Sequence, residues 1–309
     1  MCFDCNFYFS WCLIGKKYKS AKLLKNKRVL ITGATSGIGL ELSKQLAKKG
    51  ANLVIACRDF EKGQLLKSSL IKSTNNQNIE VEVVDFAHLQ SVQLFCETQL
   101  KLNLPIDILV NNAGTFFHPP QNTKDNIEIT FQTNYLSHFL LTVRLLPLLR
   151  KSTDSRIINI TSRAHIVIDR CPQKEFHQQF EDTRENRWEA YEYSKFCLTS
   201  FAYKLSDLLS SSTNISVHCV DPGNTETNLL RHFYKYSNNF LLNILKPLRL
   251  LVAKTPNEGI QGILYAILSE KKPGFYIEGI SDSTYYNQLI LNHLLADILW
   301  TISRNLSSE

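Results

Sequence analysis

The sequence lacks any long apolar run. No uninterrupted stretch reaches the roughly 18 residues that would predict a transmembrane helix, so a polytopic membrane protein is excluded. Glycine and proline are also sparse, with 12 and 9 of the 309 residues, and charged residues make up 20%. This composition excludes fibrous and disordered chains, and 44% hydrophobic residues suffices for one large domain or two small ones.

The eight cysteines are too few and too scattered for a disulfide-stabilised scaffold. Four of them fall inside apolar strand or helix patterns, namely Cys57, Cys96, Cys197 and Cys219. Reduced thiols in such patterns pack as small hydrophobic groups, so a reducing compartment is predicted for the body of the protein. Cys2 and Cys5 form one CxxC pair, but no second Cys or His pair follows nearby, so we assign no metal site.

Acidic residues are missing from one short segment, residues 16–28, and this segment explains the net charge of +7. Its seven basic residues are Lys16, Lys17, Lys19, Lys22, Lys25, Lys27 and Arg28. Apart from these seven, basic and acidic residues number 28 each, so the rest of the chain is neutral. A nucleic-acid enzyme would carry a basic face on its folded domain, and we therefore expect no nucleic-acid partner.

Residues 1–26 are predicted to form an N-terminal tail. Residues 1–15 are aromatic and apolar, but their uninterrupted part is too short to span a bilayer, and the segment lacks the flanks of a cleaved signal peptide. An apolar stretch followed by a basic one is typical of an interfacial membrane anchor facing anionic lipid. The alternative is a terminus that packs against the body of the protein.

From residue 27 onward, apolar strand patterns alternate with helical ones. The predicted strands are 28–32, 52–57, 79–85, 106–114, 155–162, 214–223 and 274–279, and the predicted helices are 37–49, 60–73, 88–102, 124–150, 188–211 and 257–269. Continuously apolar strands are typical of parallel sheets that are covered on both faces. The sequence therefore predicts a single α/β domain, 27–309, with a Rossmann-type doubly wound parallel sheet and helices on both faces.

The turn between the first strand and the first helix has the sequence TGATSGIG, residues 32–39. Gly33, Gly37 and Gly39 allow the backbone to turn sharply and approach a pyrophosphate, with Ser36 and Ile38 in the same turn. The following helix would present its free N–H groups to the anion. In this strand–turn–helix context the turn predicts a dinucleotide site; the alternative is a tight turn without a ligand.

The end of the second strand indicates which dinucleotide would bind. An acid there would hold the ribose 2′-hydroxyl of NAD, but the chain has Cys57 followed by Arg58. A guanidinium without a carboxylate favours a 2′-phosphate, so NADP(H) is the predicted cofactor. The alternative is that Arg58 is a solvated surface residue.

Tyr191 and Lys195 are four residues apart on a predicted helix and so lie on one face. A neighbouring ammonium and a nicotinamide cation favour the phenolate, which would allow Tyr191 to exchange a proton near neutral pH. The YxxxK pattern alone is weak, because Tyr18 and Lys22 also match it by chance.

Several motifs occur in one order along the chain: TGATSGIG (32–39), NNAG (111–114), TS (161–162), YEYSK (191–195) and DPG (221–223). From about residue 27 to 300, the chain thereby resembles the short-chain dehydrogenase/reductase family. It is most similar to the retinol dehydrogenase branch, through ACRD (56–59), FQTNYLSHFLLT (131–142), SRAH (162–165), AYEYSK (190–195) and LWTIS (299–303).

The resemblance implies a catalytic role for four residues. Tyr191 would be the general acid/base, and Lys195 would hold the nicotinamide ribose and lower the pKa of the tyrosine. Ser162 would hydrogen-bond the substrate oxygen. Asn134 would place a water molecule that links Lys195 to solvent.

The resemblance also implies contacts to the dinucleotide. Asp85 would contact the adenine amino group, and Thr225 or Thr227 would lie near the nicotinamide carboxamide. Two further loops would line the cofactor: Asn112, Ala113 and Gly114, and Pro222 and Gly223.

Residues 224–256 lie where this family builds its substrate lid. The segment is rich in large apolar residues and carries five cations, Arg231, Lys235, Lys246, Arg249 and Lys254, with no acid between Glu226 and Glu258. We expect the lid and the tail to lie on one membrane face, so that a lipophilic carbonyl enters from the bilayer. The alternative is a lid packed on its own pocket with solvated cations.

The predicted function is an NADP(H)-dependent oxidoreductase that transfers hydride between nicotinamide and the carbonyl or alcohol carbon of a lipophilic, retinal-like substrate. The alternatives are the same chemistry on a steroid or xenobiotic carbonyl, and a non-catalytic dinucleotide-binding scaffold. The predicted location is the cytoplasmic side of a membrane, that of the endoplasmic reticulum, with the cytosol as alternative. The sequence does not distinguish between a monomer and a homo-oligomer.

Overall fold

The computed structural model describes residues 17–168, 186–210, 214–227, 229, 231–236, 253–270 and 272–308. Its centre is an eight-stranded sheet in the order β3-β2-β1-β4-β5-β6-β7-β8. The strands are β1 (Arg28–Thr32), β2 (Asn52–Cys57), β3 (Ile79–Val83), β4 (Ile108–Asn111), β5 (Ser155–Ile160), β6 (Ile215–Asp221), β7 (Tyr276–Glu278) and β8 (Ser281–Asp282). All neighbouring strands are parallel except β7 and β8.

The helices of the described residues alternate with these strands. They are α1 (Gly37–Lys48), α2 (Phe60–Thr74), α3 (Leu89–Leu102), α4 (Ser137–Leu149), α5 (Arg187–Leu209), α6 (Arg231–Tyr236), α7 (Pro256–Gly259), α8 (Gln261–Leu268) and α9 (His293–Ser307). A short α turn, Ile129–Phe131, and a π-helical segment, Gln132–Leu136, lead directly into α4. Two 3₁₀ helices are Arg163–Val167 and Gln288–Leu291.

The apolar strand β1 shows why the sheet is covered on both faces. Its side chains point alternately to opposite faces of the sheet. Leu30 packs into one core cluster, whereas its neighbours Val29 and Ile31 pack into the other, and all three are fully buried. A strand with two buried faces must be apolar at every position, which explains the continuous run.

The predicted fold class is confirmed. The bounds of β1 and β2 agree with the prediction, while β3 and β4 are shorter than predicted. The predicted helix 124–150 is shorter and contains a π turn, and the strand β8 and the helices α6 and α9 were not predicted.

The strand order positions the site. β1 pairs with β2 on one side and β4 on the other, so the chain reverses its direction of winding between them. In open parallel sheets, ligands bind beyond the carboxyl ends of the strands at such a reversal. The glycine turn follows β1, and NNAG begins at the end of β4, so both motifs lie at this crevice.

Part of the predicted tail packs against the folded body. Leu24 is buried, and the Lys49 ammonium donates to the carbonyl oxygens of Ser20 (2.7 Å) and Lys22 (3.0 Å). The Tyr18 N–H donates to Oε1 of Gln261 at 2.7 Å. Residues 1–16 lie outside the described residues. No helix among those described is both long and apolar enough to cross a membrane.

Candidate active site

The glycine turn after β1 needs its glycines for two different reasons. Gly33 and Gly37 have φ values of +68° and +54°, in the left-handed region where side chains are disfavoured. Gly39 has ordinary backbone angles, but a Cβ there would lie 2.4 Å from the Gly33 carbonyl oxygen and 2.6 Å from Nδ2 of Asn112. The backbone path of the turn therefore depends on these glycines.

Helix α1 presents its positive end to this turn. Within the described contacts, the exposed Ser36 side chain at the N-cap makes no capping hydrogen bond, and the first helical turn, which includes Ile38, has no acid. The N–H groups of this turn are therefore available to an anion at the positive end of the helix dipole. A glycine turn leading into an uncapped helix fits a dinucleotide pyrophosphate.

The loop after β4 is fastened to the glycine turn by hydrogen bonds. Thr32 Oγ1 accepts from the backbone N–H groups of Asn112 and Ala113, each at 2.8 Å. The Asn112 amide donates to the Thr32 carbonyl at 2.7 Å and to the Gly33 carbonyl at 3.2 Å. A Cβ on Gly114 would lie 3.1 Å from Oδ1 of Asn134. The structure thus places the predicted NNAG residues against both the turn and the catalytic region.

The predicted adenine end of the site lies at the ends of β2 and β3. Arg58 follows β2 directly and is exposed. Asp59 caps α2 by accepting from the Lys62 N–H at 3.0 Å, and its other oxygen pairs with the Lys62 ammonium at 2.8 Å. Asp85, just beyond β3, accepts from the Ala87 N–H at 3.0 Å. The carboxylate next to Arg58 is therefore engaged within its own helix.

Tyr191, Lys195 and Ser162 come together at the carboxyl end of β5. Helix α5 places Tyr191 and Lys195 on one face, and Lys195 Nζ lies 5.7 Å from the centre of the Tyr191 ring. The Ser162 hydroxyl, two residues beyond β5, hydrogen-bonds the Tyr191 phenol. Lys195 Nζ also donates to the Ile160 carbonyl at 2.8 Å, which fixes the ammonium against the end of the strand.

Asn134 braces this arrangement from the π-helical segment. Its Oδ1 accepts from the Thr115 N–H at 2.8 Å, and its Nδ2 donates to the Thr115 carbonyl at 2.9 Å and to Ser194 Oγ at 3.0 Å. The side chain is fully buried and its amide is engaged by protein groups. Asn134 thus joins the loop after NNAG to the helix that carries Tyr191 and Lys195.

Burial dominates the electrostatics of the two ionisable groups. It raises the pKa of Tyr191, the Ser162 hydrogen bond lowers that pKa, and the Asp221 carboxylate raises it. Burial lowers the pKa of Lys195 to about 8, although Asp221 acts in the opposite direction. In the protein alone, desolvation therefore disfavours the Tyr191 phenolate more than the neighbouring groups stabilise it, and the lowering of the Tyr191 pKa beside a nicotinamide cation stays a prediction.

The loop after β6 closes the site from the other side. Gly223 has a φ of +72°. Thr225 is buried, and its hydroxyl donates to the Pro222 and Gly223 carbonyls at 3.3 and 3.2 Å. A Cβ on Gly37 would lie only 3.0 Å from Cβ of Thr227, so Thr227 packs on the glycine turn. The structure thus places Thr227 on the glycine turn and Thr225 within the loop, and which of the two contacts the cofactor stays a prediction.

An aromatic cluster packs against Tyr191 through one of its rings, and sequence reasoning did not assign it to the site. Its members are Phe116 and Phe117 from the loop after NNAG, Trp188 from α5, and Phe233 from α6 in the predicted lid. Phe116 lies 4.7 Å from the Tyr191 ring and 5.1 Å from Trp188, and Phe233 lies 5.3 Å from Phe117 (ring centroids). The helical spacing of Trp188 and Tyr191 was a signal that could have revealed part of it.

The dinucleotide would be held by residues from each of these segments. The turn Gly33–Gly39 and the α1 N-terminus would take the pyrophosphate, Arg58 and Asp85 the adenosine end, and Thr227 and Lys195 the nicotinamide end. In the part of the chain that the structure describes, no three His, Cys, Asp or Glu side chains converge as they would around a metal ion.

Comparison with known proteins gives consistent results. The sequence profile of the family described as short chain dehydrogenase matches residues 27–168. Retinol dehydrogenase 13 of Mus musculus is 34% identical over 274 residues, which cover 85% of this chain and 78% of that protein. Retinol dehydrogenase 12 of Homo sapiens is 34% identical over 282 residues, which cover 91% of this chain and 86% of that protein.

Solved structures share the fold. An uncharacterized protein from Mycobacterium Paratuberculosis aligns with a TM-score of 0.71 and 27% identity, covering 95% of this chain and 98% of that chain. A short chain dehydrogenase from Shigella flexneri 2a, complexed with NADP, aligns with a TM-score of 0.62 and 23% identity, covering 84% and 99% of the two chains. The likeness therefore extends over most of the chain.

Proposed function

The chain belongs to the short-chain dehydrogenase/reductase family, and from this premise we propose that it is an NADP(H)-dependent oxidoreductase of lipophilic, retinal-like carbonyls and alcohols. Membership makes it an oxidoreductase of alcohol and carbonyl groups that binds a nicotinamide dinucleotide. The observation that carries the proposal is the Ser162–Tyr191 hydrogen bond beside Lys195, with the Phe116 ring of the aromatic cluster packed against Tyr191.

The cofactor, when bound, supplies or accepts the hydride at the substrate carbon. The protein's own residues handle the oxygen and the proton. Ser162 and Tyr191 offer two hydroxyl donors to one substrate oxygen, where negative charge develops during reduction. Because burial raises its pKa, Tyr191 holds its proton at neutral pH and can give it to that oxygen. In the oxidation direction, Tyr191 takes the same proton back.

Lys195 stabilises the phenolate that Tyr191 becomes after it has donated its proton. The ammonium lies 5.7 Å from the ring centre and is oriented by the Ile160 carbonyl. With a pKa of about 8, the lysine stays mostly charged at neutral pH and loses its charge just above it. The site is therefore suited to proton transfer near neutrality and weakens as Lys195 deprotonates.

The preference for NADP(H) rests on the end of β2. Arg58 is exposed there and can turn toward a 2′-phosphate, while Asp59 is engaged with Lys62. The Asp59 carboxylate, which could otherwise hold the free 2′-hydroxyl of NAD, is thus already engaged. The Arg58 guanidinium is present to hold the 2′-phosphate of NADP. Since cellular NADPH is kept largely reduced, carbonyl reduction is the proposed working direction.

The substrate class rests on the aromatic cluster. Rings from three segments meet beside Tyr191, and Phe233 brings the lid helix into contact with them. Aromatic walls favour apolar, planar substrates over small polar ones. The relatives that carry the name retinol dehydrogenase support a retinoid-like carbonyl.

We further propose contact with a membrane, at the cytoplasmic face of the endoplasmic reticulum, with the cytosol as the alternative location. The Tyr18 N–H donates to Oε1 of Gln261 on α8 at 2.7 Å, and Gln261 follows shortly after the lid segment. The start of the described chain is therefore near the end of the lid segment 224–256, whose residues 237–252 lie outside the described residues. This proximity supports a shared face for the tail and the lid.

A substrate panel tests the proposed reaction. All-trans-retinal, a ketosteroid and glyceraldehyde are each offered with NADPH and with NADH. We expect the highest kcat/KM for retinal with NADPH. A preference for the ketosteroid would move the substrate to the steroid class, and NADPH binding without turnover of any carbonyl would indicate a non-catalytic scaffold.

Co-sedimentation with anionic liposomes tests the membrane contact. We expect the full chain to pellet, with less pelleting at high salt, because cations and apolar residues act together. Deletion of residues 1–16, which spares the packed residues from 17 onward, should release only part of the protein. A full chain that stays entirely in the supernatant would leave the cytosolic alternative.

A further inference from the structure

Asp221 is a buried carboxylate at the edge of the site. It is the last residue of β6 and is only 2% exposed. One of its oxygens accepts from the Gly223 N–H at 2.9 Å, within the loop that carries Pro222. A buried carboxylate is costly unless it is paired, so its neighbours must supply the compensation.

The first compensating group is Arg163, the residue that follows Ser162. Its Nε lies 3.8 Å from Oδ2 of Asp221, and its backbone N–H also interacts with the carboxylate. The Arg163 guanidinium pairs with Glu278 on β7 and lies 5.2 Å over the Tyr285 ring. Asp221 thus connects the segment that carries Ser162 to the loop after β6.

The second group is Lys195, on α5. Its Nζ donates to the Ile160 carbonyl at 2.8 Å, and Ile160 pairs with Val220, the residue before Asp221, so the ammonium lies near the end of β6. In keeping with this position, the Asp221 charge raises the pKa of Lys195 against the effect of burial, and it also raises the pKa of Tyr191. Other ionisable groups interact with Asp221 from the lid end (Lys254) and from β7 (Tyr276), while Cys219 on β6 and His138 on α4 interact with Lys195. Arg163 therefore pairs with this carboxylate, and Lys195 and Lys254 interact with it electrostatically.

We propose that Asp221 is a positioning residue of this site: its buried negative charge ties Arg163, next to Ser162, to the loop after β6 and offsets the positive charge of Lys195. In this arrangement a buried negative charge within the fold acts on the ammonium next to Tyr191. The effect on turnover rests on the proposed function, whereas the effect on Lys195 itself does not.

Asp221→Asn is the sharpest variant, because the amide keeps an oxygen to accept from Gly223 and removes only the charge. Glu278→Gln is the matched control, since Glu278 also pairs with Arg163 but is not among the groups that act on Lys195. The titration of Lys195 is followed in the full chain by NMR of lysine labelled at Cε, with its resonance assigned from Lys195→Arg.

We expect the Lys195 midpoint, about 8 in the unmodified protein, to fall by about one pH unit in Asp221→Asn and to stay in place in Glu278→Gln. An unchanged midpoint in Asp221→Asn, or equal shifts in both variants, would overturn the proposal. If Asp221→Asn does not fold, Asp221→Ser replaces it, since it also removes the charge and keeps a hydroxyl oxygen to accept from Gly223. The same fall in the midpoint is expected, and an unchanged midpoint would equally overturn the proposal.

The pH profile of NADPH-dependent retinal reduction gives the second readout. The alkaline limb should move to lower pH in Asp221→Asn, because Lys195 and Tyr191 both lose their protons earlier, and should not move in Glu278→Gln. If the wild-type protein turns over no carbonyl but its Lys195 midpoint responds as expected, the proposed function fails and this inference stands. If the wild-type protein reduces retinal but its Lys195 midpoint does not respond to Asp221→Asn, the proposed function stands and this inference fails.

Discussion

At its cofactor end the site is built mainly from backbone, whereas at its substrate end it is built from side chains. The glycine turn, the α1 N-terminus and the Thr32–Asn112 hydrogen bonds define the first region. Rings from the loop after NNAG, from α5 and from the lid helix define the second. A backbone surface constrains residue type severely, because a single Cβ at Gly39 would collide with a carbonyl oxygen. A ring surface can be made by many apolar residues, so it constrains residue type weakly.

The largest effect is expected where the two regions meet. Tyr191→Phe should lower kcat/KM by a hundredfold or more, because it removes the proton donor and leaves the aromatic ring in place. NADPH affinity, measured by fluorescence titration, should be unchanged. Tyr193→Phe is the matched control on the same buried helix and should retain turnover. Normal turnover in Tyr191→Phe would show that a group other than Tyr191 donates the proton.

A smaller effect is expected at the adenosine end. Arg58→Ala should weaken NADPH binding by about 1.5–3 kcal/mol, the scale of a charge-assisted hydrogen bond, and leave NADH binding nearly unchanged. Arg58→Lys should weaken NADPH binding by an intermediate amount, because lysine keeps the positive charge but lacks the planar guanidinium group. Isothermal titration with both dinucleotides measures the difference. Equal losses for NADPH and NADH would make Arg58 a surface residue.

Low pH should destabilise both the cofactor end and the substrate end of the site, because a buried histidine lies close to each of them. His138 lies 3.1 Å from Thr32 Oγ1, behind the glycine turn, and His165 follows Ser162 in the 3₁₀ helix. Burial lowers their pKa values to about 3 and about 4, below the 6.5 of an exposed histidine. The unfolded chain therefore takes up protons that the folded protein cannot. Stability is fully present above about pH 6.5 and falls as the pH decreases toward the folded pKa values.

At about pH 5, each histidine should cost about 2 kcal/mol of unfolding free energy relative to pH 7.5. Denaturant unfolding at the two pH values measures this loss. His138→Gln and His165→Gln should each reduce the loss by about 2 kcal/mol, whereas the share of His218, a third buried histidine with a lowered pKa, should remain. An identical pH dependence in the wild type and both variants would show that other groups control the acid sensitivity.

The smallest effect is expected from the substrate end. Phe233→Ala should raise KM for retinal several-fold, about 1 kcal/mol, since it removes one ring of the cluster and leaves the others. NADPH affinity should stay unchanged, because Phe233 contacts Phe116, Phe117 and Trp188. Leu294→Ala, at an exposed apolar residue of α9, is the control. A matching rise of KM in both variants would contradict a substrate role for the cluster.

The same contrast explains what could be predicted from the sequence. The bounds of β1 and β2 agreed because fully buried strands are continuously apolar and end at turn residues. Helix α9 was missed although Leu295, Leu299 and Ile302 have helical spacing, whereas β8 consists of two exposed residues and leaves no signal. The π turn around Asn134 changes backbone pairing without changing the apolar pattern.

Within the site, the sequence located Tyr191, Lys195, Ser162 and the glycine turn, since each lies in a motif of fixed spacing. It did not assign Phe116 and Phe233 to one cluster, because their contact joins segments that are distant in the chain. That Lys195 and a nicotinamide cation favour the Tyr191 phenolate stays a prediction for the cofactor-bound site. The opposing effect of burial on the pKa of Tyr191 could not be predicted, because desolvation depends on packing that a linear pattern does not describe.

The packed segment ahead of β1 has a mechanical consequence. From Tyr18 to Leu24 the chain contacts Gln261 on α8 and Lys49 at the end of α1 before it enters the sheet. A pulling force on the N-terminal end is therefore resisted first by these contacts, in series, and only afterwards by the pairing of β1 with its neighbours. If the tail is tethered to a surface, the strand that supports the glycine turn is shielded from the load.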